Sequence, residues 1–390
     1  MNCKDLIICC AAVLYLLSSC IVPFEPQGMK QEEGILVVEG MIMDTGTTIK
    51  LTRTISLYAD DPDSTRIDWV YGARVQVIDD RNNVVAVAEP QSKDGTPGIV
   101  YAVPGEIAFT PGTKYALSIQ IGEKRYQSAF VSPTLTPEID EISWRTNTDG
   151  SMDIMVSTHD PENQTEYYRW AFEEDWEIRS YLFGFYWYNP ITGEVVEQSP
   201  FTSNNRYYCW ASDKSKAIIL GTSGRLTEAT IKNNVIHSIP TYNSRFSYLY
   251  SILVRQYGID KETYIYYKNL KDNIELSGSL FAPLLTEIKG NIACLSNPDE
   301  PVVGYISATN EVKTRIFIDM LEIGGEDLYA CEEKESRRFS RSQLASIYIY
   351  GYSIVTYMDA YFICYPIRCV DCTARGGTKN KPDFWPNDHQ

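Results

Sequence analysis

From Gly34 to Val131 the chain reads as short strand patterns separated by turn residues, and this periodicity constrains the fold more than any other feature. The clearest run places Tyr115, Leu117, Ile119 and Ile121 at every second position. Successive side chains of a strand point to opposite faces, so this spacing gathers all four on one face, whereas a helix would scatter them. Gly122-Glu123-Lys124 then supplies a turn, and Tyr126 to Val131 returns as the second arm of a hairpin. Ile35 to Val38, Ile49 to Ile55 and Ala73 to Ile78 read as further strands.

The expected fold class is therefore mainly β. Residues 34–131 have the length of an immunoglobulin-like β-sandwich, and Pro111-Gly-Thr-Lys-Tyr115 is similar to the tyrosine corner of that fold, in which the phenol bonds back to the backbone. Ser132-Pro-Thr-Leu-Thr-Pro137 breaks the pattern with two prolines and marks a domain boundary. A larger β-rich domain is expected over 138–320, with strand candidates Met152 to Thr158, Tyr167 to Leu182, Ala217 to Leu220, Tyr248 to Gln256 and Val302 to Ile306. It contains one helix, N-capped by Asp260. Ile259 and Tyr264 stand where a hydrophobic staple would, Tyr264, Tyr267, Leu270 and Ile274 mark one face, and Gly278 lies just past the end. Residues 321–390 read as a Cys-rich extension packed on the second domain.

The N-terminus carries an address. Lys4 precedes the apolar run Leu6 to Leu17, whose 12 residues are too few for a membrane span of about 20, so residues 1–19 read as a signal peptide. Leu17-Ser18-Ser19-Cys20 resembles a bacterial lipobox, in which the Cys20 thiol receives the diacylglycerol; an incidental cysteine is the plainer alternative. Residues 20–33 would then be a tether, and more than one acyl chain would hold the protein on its membrane at about 0.8 kcal/mol per buried methylene. No aspartate follows Cys20, which favours the outer membrane, with cell-surface exposure expected and the periplasmic face as the alternative.

A net charge of −16 disfavours binding to nucleic acid. Beyond Cys20, Cys209, Cys294, Cys331, Cys364, Cys369 and Cys372 are an even set, and in an oxidising compartment disulfides are expected, with the pairing open. The competing reading is zinc held by Cys331, Cys364, Cys369 and Cys372, since Cys369-Val-Asp-Cys372 has ligand spacing.

Three constellations bear on chemistry. Strand alternation in Phe172-Glu-Glu-Asp-Trp-Glu177 puts Glu173, Asp175 and Glu177 on one face and Trp170, Phe172 and Trp176 on the other; such carboxylates could bind Ca²⁺ or serve as a hydrolase acid and base, or form a solvated face. Asp60, Asp61, Asp63 and Asp68 form a second acidic cluster, but Arg66 and Gly72 stand where an EF-hand loop needs glycine and glutamate. His159-Asp-Pro-Glu-Asn163 reads as a turn rather than a metal site. With only His159, His237 and His389, no zinc-hydrolase motif exists, and neither a GxSxG elbow nor a phosphate loop is present. No cofactor is expected. Tyr181, Phe183, Phe185, Tyr186, Trp187 and Tyr188 crowd six aromatics into eight residues, too many for one buried strand face, and mark a partner or ligand surface unless a neighbouring element covers them.

Several stretches, taken in order, resemble a family of Bacteroidota outer-membrane lipoproteins known as domain of unknown function 4249. They are Leu36-Val-Val-Glu-Gly40, Tyr167 to Glu177, Tyr250 to Tyr257, Gly278 to Phe281, Lys289 to Ile292, Val303 to Ile306, and the ending from Cys369 to Trp385. The resemblance implies a surface lipoprotein often encoded near a TonB-dependent outer-membrane receptor, and it brings no catalytic residues. The expectation is a non-enzymatic accessory or binding subunit of a TonB-dependent nutrient-uptake system. A free-standing carbohydrate-binding or adhesion module, and a hydrolase using Glu173 or Asp175, are the alternatives. The loop Asp63-Ser64-Thr65 also resembles an O-glycosylation site.

Overall fold

The computed structural model describes residues 34–55, 67–92, 98–199, 206–224, 229–276, 289–323, 331–347 and 349–386. Cys20, the cluster at 60–63 with Ser64 and Thr65, and Gly278 lie outside them. The described chain is mainly β, with a single long helix. Its first sheet has ten strands, running from Ile292–Cys294 through Lys124–Ser128, Tyr115–Ile121, Arg74–Asp79, Val84–Ser92, Ile99–Ala102, Thr48–Arg53 and Leu36–Gly40 to Val302–Val303, with Asp68–Trp69 paired to Thr48–Arg53. Leu36, Ile49, Val75, Tyr101, Leu117 and Tyr126 from across this sheet share one buried core, so it folds over on itself. The expected hairpin is present, closed by Gly122 at φ +57° between the paired Ile121 and Lys124. At the corner, the Thr110 N–H donates to the Tyr115 phenol oxygen at 2.8 Å.

One feature was invisible to local pattern. The stretch Ile292 to Thr309, which the sequence reading places inside the second domain, supplies both outer strands of the first sheet, with Cys294 opposite Tyr126 and Val302 parallel to Leu36. Open sheet edges carry unpaired backbone groups, and this return of the chain satisfies them.

The remaining β structure packs as layers. Ile139–Thr146, Ser151–His159 and Thr230–Pro240 form a three-stranded sheet. Tyr208–Lys214, Tyr167–Arg179, Leu249–Ile259 and Glu311–Asp319 lie side by side in a five-stranded one, completed by Ile219–Thr222. Met152, Ile154 and Val156 from the first layer meet Tyr168, Trp170, Phe172, Ile252 and Val254 from the second in a common core. Gly221 is required there, because a Cβ would stand 2.6 Å from the Trp170 ring. The helix spans Lys261–Leu276, and Asp260 Oδ1 accepts the Thr263 N–H at 2.7 Å, as its capping role demands. Its buried residues include Thr263 and Tyr266, while Ile274 is exposed, so the apolar stripe is shifted from the expected face.

At the C-terminus, Arg337–Phe339, Tyr361–Pro366 and Tyr352–Met358 form a three-stranded sheet over a small core of Tyr188, Leu344, Ile347, Ile354, Phe362 and Cys364. Two disulfides fasten this region, Cys209–Cys372 and Cys331–Cys369. The tail then returns to the central sheet, where Thr378 bridges Trp210 and Trp385 is buried with Trp210 and Leu249.

Candidate functional site

The aromatic stretch Tyr181 to Tyr188 divides on folding. Tyr188 enters the C-terminal core and Tyr186 packs against it, within a short hairpin pairing Tyr186–Tyr188 with Val195–Glu197. Phe183 is half-buried, edge-on to both Phe185 and Tyr207. Trp187 is half-buried, with the Arg206 guanidinium 5.8 Å from its ring centre. Tyr181 and Phe185 remain open, at 43% and 51% exposure, so the exposed part of the predicted surface narrows to these two. Backbone contacts hold this stretch against the extension: the Leu182 N–H donates to the Cys369 carbonyl and the Phe185 N–H to Val355. Between them Gly184 lets the chains approach, since a Cβ would lie 2.8 Å from Val370 Cγ1 and 2.9 Å from the Ile354 carbonyl oxygen.

The carboxylates of the long strand Tyr167–Arg179 are each engaged by a cation. Glu173 binds Lys214 at 3.0 Å and Arg255 at 3.2 Å, Asp175 binds Arg315 at 2.9 Å, and the fully buried Glu177 pairs with Arg179. Arg255 also binds Glu311, which accepts the Tyr257 hydroxyl at 2.7 Å. Burial pushes the Glu173 carboxyl up, but the Lys214 hydrogen bond and the Arg255 charge outweigh it and hold its pKa below the ordinary glutamate value. A general acid needs the opposite displacement.

Sequence reasoning missed a second buried charge of this strand. Glu174 lies on the aromatic face at 2% exposure and binds His237 Nε2 at 3.1 Å, the Tyr250 hydroxyl at 2.6 Å and Arg245. Arg245 reaches on to Asp213 at 2.9 Å and lies over the Trp176 ring at 4.6 Å. Burial acts to raise the Glu174 pKa, yet the bonds from His237 and Tyr250 and the His237 and Arg245 charges bring it below the ordinary value. The available signal was a glutamate in step with Trp170, Phe172 and Trp176, since a carboxylate on a buried face must find partners.

His159 Nδ1 contacts Asp140 at 2.7 Å, beside an open cleft of about 540 Å³ lined by Asp140, Glu141, Ser157, Thr230, Lys232 and Asn233. Asp160 accepts the N–H groups of Glu162, Gln164 and Thr165, which is the turn its sequence implies. Among the cysteines, full pairing is corrected. Cys294 lies in the first core and Cys364 in the C-terminal core, so each is a buried thiol outside any disulfide. Burial pushes the Cys364 thiol up to about 12. The zinc alternative fails as well, because Cys331, Cys369 and Cys372 spend their sulfurs on disulfides.

Fold and surface together define a mainly β protein with a disulfide-fastened C-terminal sheet. The chain belongs to the family described as domain of unknown function (DUF4249), whose model matches residues 21–315 and ends within the strand Glu311–Asp319. No curated protein matches the chain. Among the described residues, no helix is long and apolar enough to cross a membrane.

Proposed function

We propose that this protein is a lipid-anchored outer-membrane surface protein that works by binding rather than catalysis, as an accessory subunit of a TonB-dependent nutrient-uptake system. The anchor is Cys20, on the strength of Leu17-Ser-Ser-Cys20 behind an apolar run. The observation that carries the binding role is the exposed pair Tyr181 and Phe185, held on a disulfide-fastened scaffold, since rigid aromatics lose little entropy when a partner covers them. Against the hydrolase alternative stand the Lys214 and Arg255 partners of Glu173, which favour its ionised form, and the ion pair that ties Asp175 to Arg315. The partner is a TonB-dependent barrel, a reading that rests on the resemblance to the lipoprotein family.

The test is extraction of the tagged protein from outer membranes in mild detergent, with mass spectrometry of what accompanies it. A barrel recovered in stoichiometric amount, and lost on Phe185→Ala with Tyr181→Ala, is the expected result. Recovery of the lipoprotein alone, under conditions that keep other outer-membrane complexes whole, overturns the accessory role.

A further inference from the structure

The first sheet has one end at which the chain enters and twice turns. Strand Leu36–Gly40 starts there: Leu36 lies opposite Arg53, the Thr54 N–H donates to the Ile35 carbonyl, and Arg53 donates to the Gly34 carbonyl at 2.9 Å. Asp68 also stands opposite Arg53, so Ile55 and Ile67 lie beside Gly34. The loop 295–301 leaves Ile292–Cys294, which runs out alongside Lys124–Ser128, and returns at Val302 beside Leu36, so the tip of the Gly122 hairpin is at this same end. Glu300 in that loop binds Lys124 at 3.0 Å and accepts the Tyr126 hydroxyl at 2.6 Å. Between Asp68 and Arg74, which lies opposite Gln120, the chain crosses this end through Tyr71.

Four large apolar side chains stand open here: Ile55 at 43%, Ile67 at 48%, Leu295 at 51% and Tyr71 at 63%. Single ones are ordinary on any surface, whereas a group gathered at one end marks a contact. The occupant follows from where the chain continues. Gly34 is 14 residues beyond Cys20, a stretch that spans at most about 50 Å, so a lipid on Cys20 tethers the body by this end. Lys124 is bound to Glu300, Asp68 faces Arg53, and Asp60, Asp61 and Asp63 belong to the segment between Ile55 and Ile67, so nothing here favours anionic lipid.

We propose that this end of the first sheet is seated on the membrane, with Ile55, Ile67, Tyr71 and Leu295 in the headgroup layer of a zwitterionic phospholipid surface. Four side chains are too few to hold a protein on a bilayer. Once acyl chains hold it, the same side chains act at high effective concentration and need only orient it. The seating rests on the lipid-anchor reading above and adds to it a fixed orientation of the body.

The test is hydrogen exchange of the chain from Ile21, which retains every described element. It carries a hexahistidine before Ile21, is held by it on phosphatidylcholine vesicles containing a nickel-chelating lipid, and is compared with the same chain in solution. Amides of 67–73, 121–125 and 295–300 should slow about tenfold or more on the vesicle. Those of Val84 to Val87, equally exposed but toward the opposite end of the sheet, should keep their solution rates. Ile55→Ser, Ile67→Ser and Leu295→Ser together should return the slowed amides to their solution rates while the protein stays on the vesicle. Near-ultraviolet circular dichroism checks that this variant is folded, and Tyr71→Ser alone reads a smaller change of the same sign if it is not. Equal exchange on and off the vesicle, protection that the variants keep, or protection centred on Val84 to Val87 overturns the seating. Acylation is read separately, from the mass of the native N-terminal peptide: an unmodified Cys20 defeats the anchor, and an acylated Cys20 without protection at this end defeats the seating alone.

Discussion

In the two central layers, 14 buried side chains from facing sheets make one continuous core, whereas the C-terminal sheet gathers 6 over three short strands and carries two disulfides. Fully burying one large apolar side chain contributes roughly 1.5–3 kcal/mol, so the first region can hold itself by burial alone. Three strands are close to the smallest sheet that is stable, and there the cross-links substitute for core. The two regions also treat charge differently. The central strand buries Glu174 and Glu177 beside arginines, while the C-terminal sheet leaves Arg338 and Arg341 at its surface. A buried ion pair persists only where packing and hydrogen bonds hold both partners, as the central layers do for Glu174 and Glu177.

The largest effect that would break this contrast is in the central layers. Arg245→Ala leaves Glu174 buried without its arginine and should cost about 3–5 kcal/mol, read from the urea midpoint. Because the folded pKa of Glu174 lies below its unfolded value, its contribution is full above that unfolded value and is lost as pH falls through the folded one. Glu174→Gln should therefore flatten the acid limb of the stability profile; an unchanged limb would place acid sensitivity elsewhere.

Next in size is the cross-link. Cys209→Ala with Cys372→Ala should cost about 2–4 kcal/mol. Hydrogen exchange should quicken over 331–386 while the hairpin Tyr115–Ser128 keeps its protection. Equal loosening of both regions would show that the C-terminal sheet is part of one cooperative unit. The smallest effect has the opposite sign: Ala360→Gly relieves the left-handed alanine and should raise the protection of the C-terminal hairpin by a few tenths to about 1 kcal/mol.

Much of the architecture was legible because it is written in local chemistry. The Tyr115 to Ile121 alternation, the Gly122 turn, the Asp260 cap and the Asp160 turn each depend on a few neighbouring residues, and each formed as read. The candidate surface was half legible. Six crowded aromatics marked the right segment, but which of them stay exposed depended on a sheet some 170 residues further along the chain. Of the carboxylates Glu173, Asp175 and Glu177, the last finds its arginine two residues on at Arg179, but Arg255 and Arg315 come from strands far away in sequence, and no local pattern names them.

The sequence by itself determined the β class, the turns and caps, the even cysteine set and the N-terminal apolar run with its cysteine, because periodicity, backbone preference and composition act over short range. Only the tertiary structure decided that Ile292 to Thr309 closes the first sheet, that Cys294 and Cys364 never meet, and that Glu174 is buried among His237, Tyr250 and Arg245. These are long-range pairings selected by the shared need to bury surface and satisfy buried polar groups, and that need is met only when the whole chain is folded.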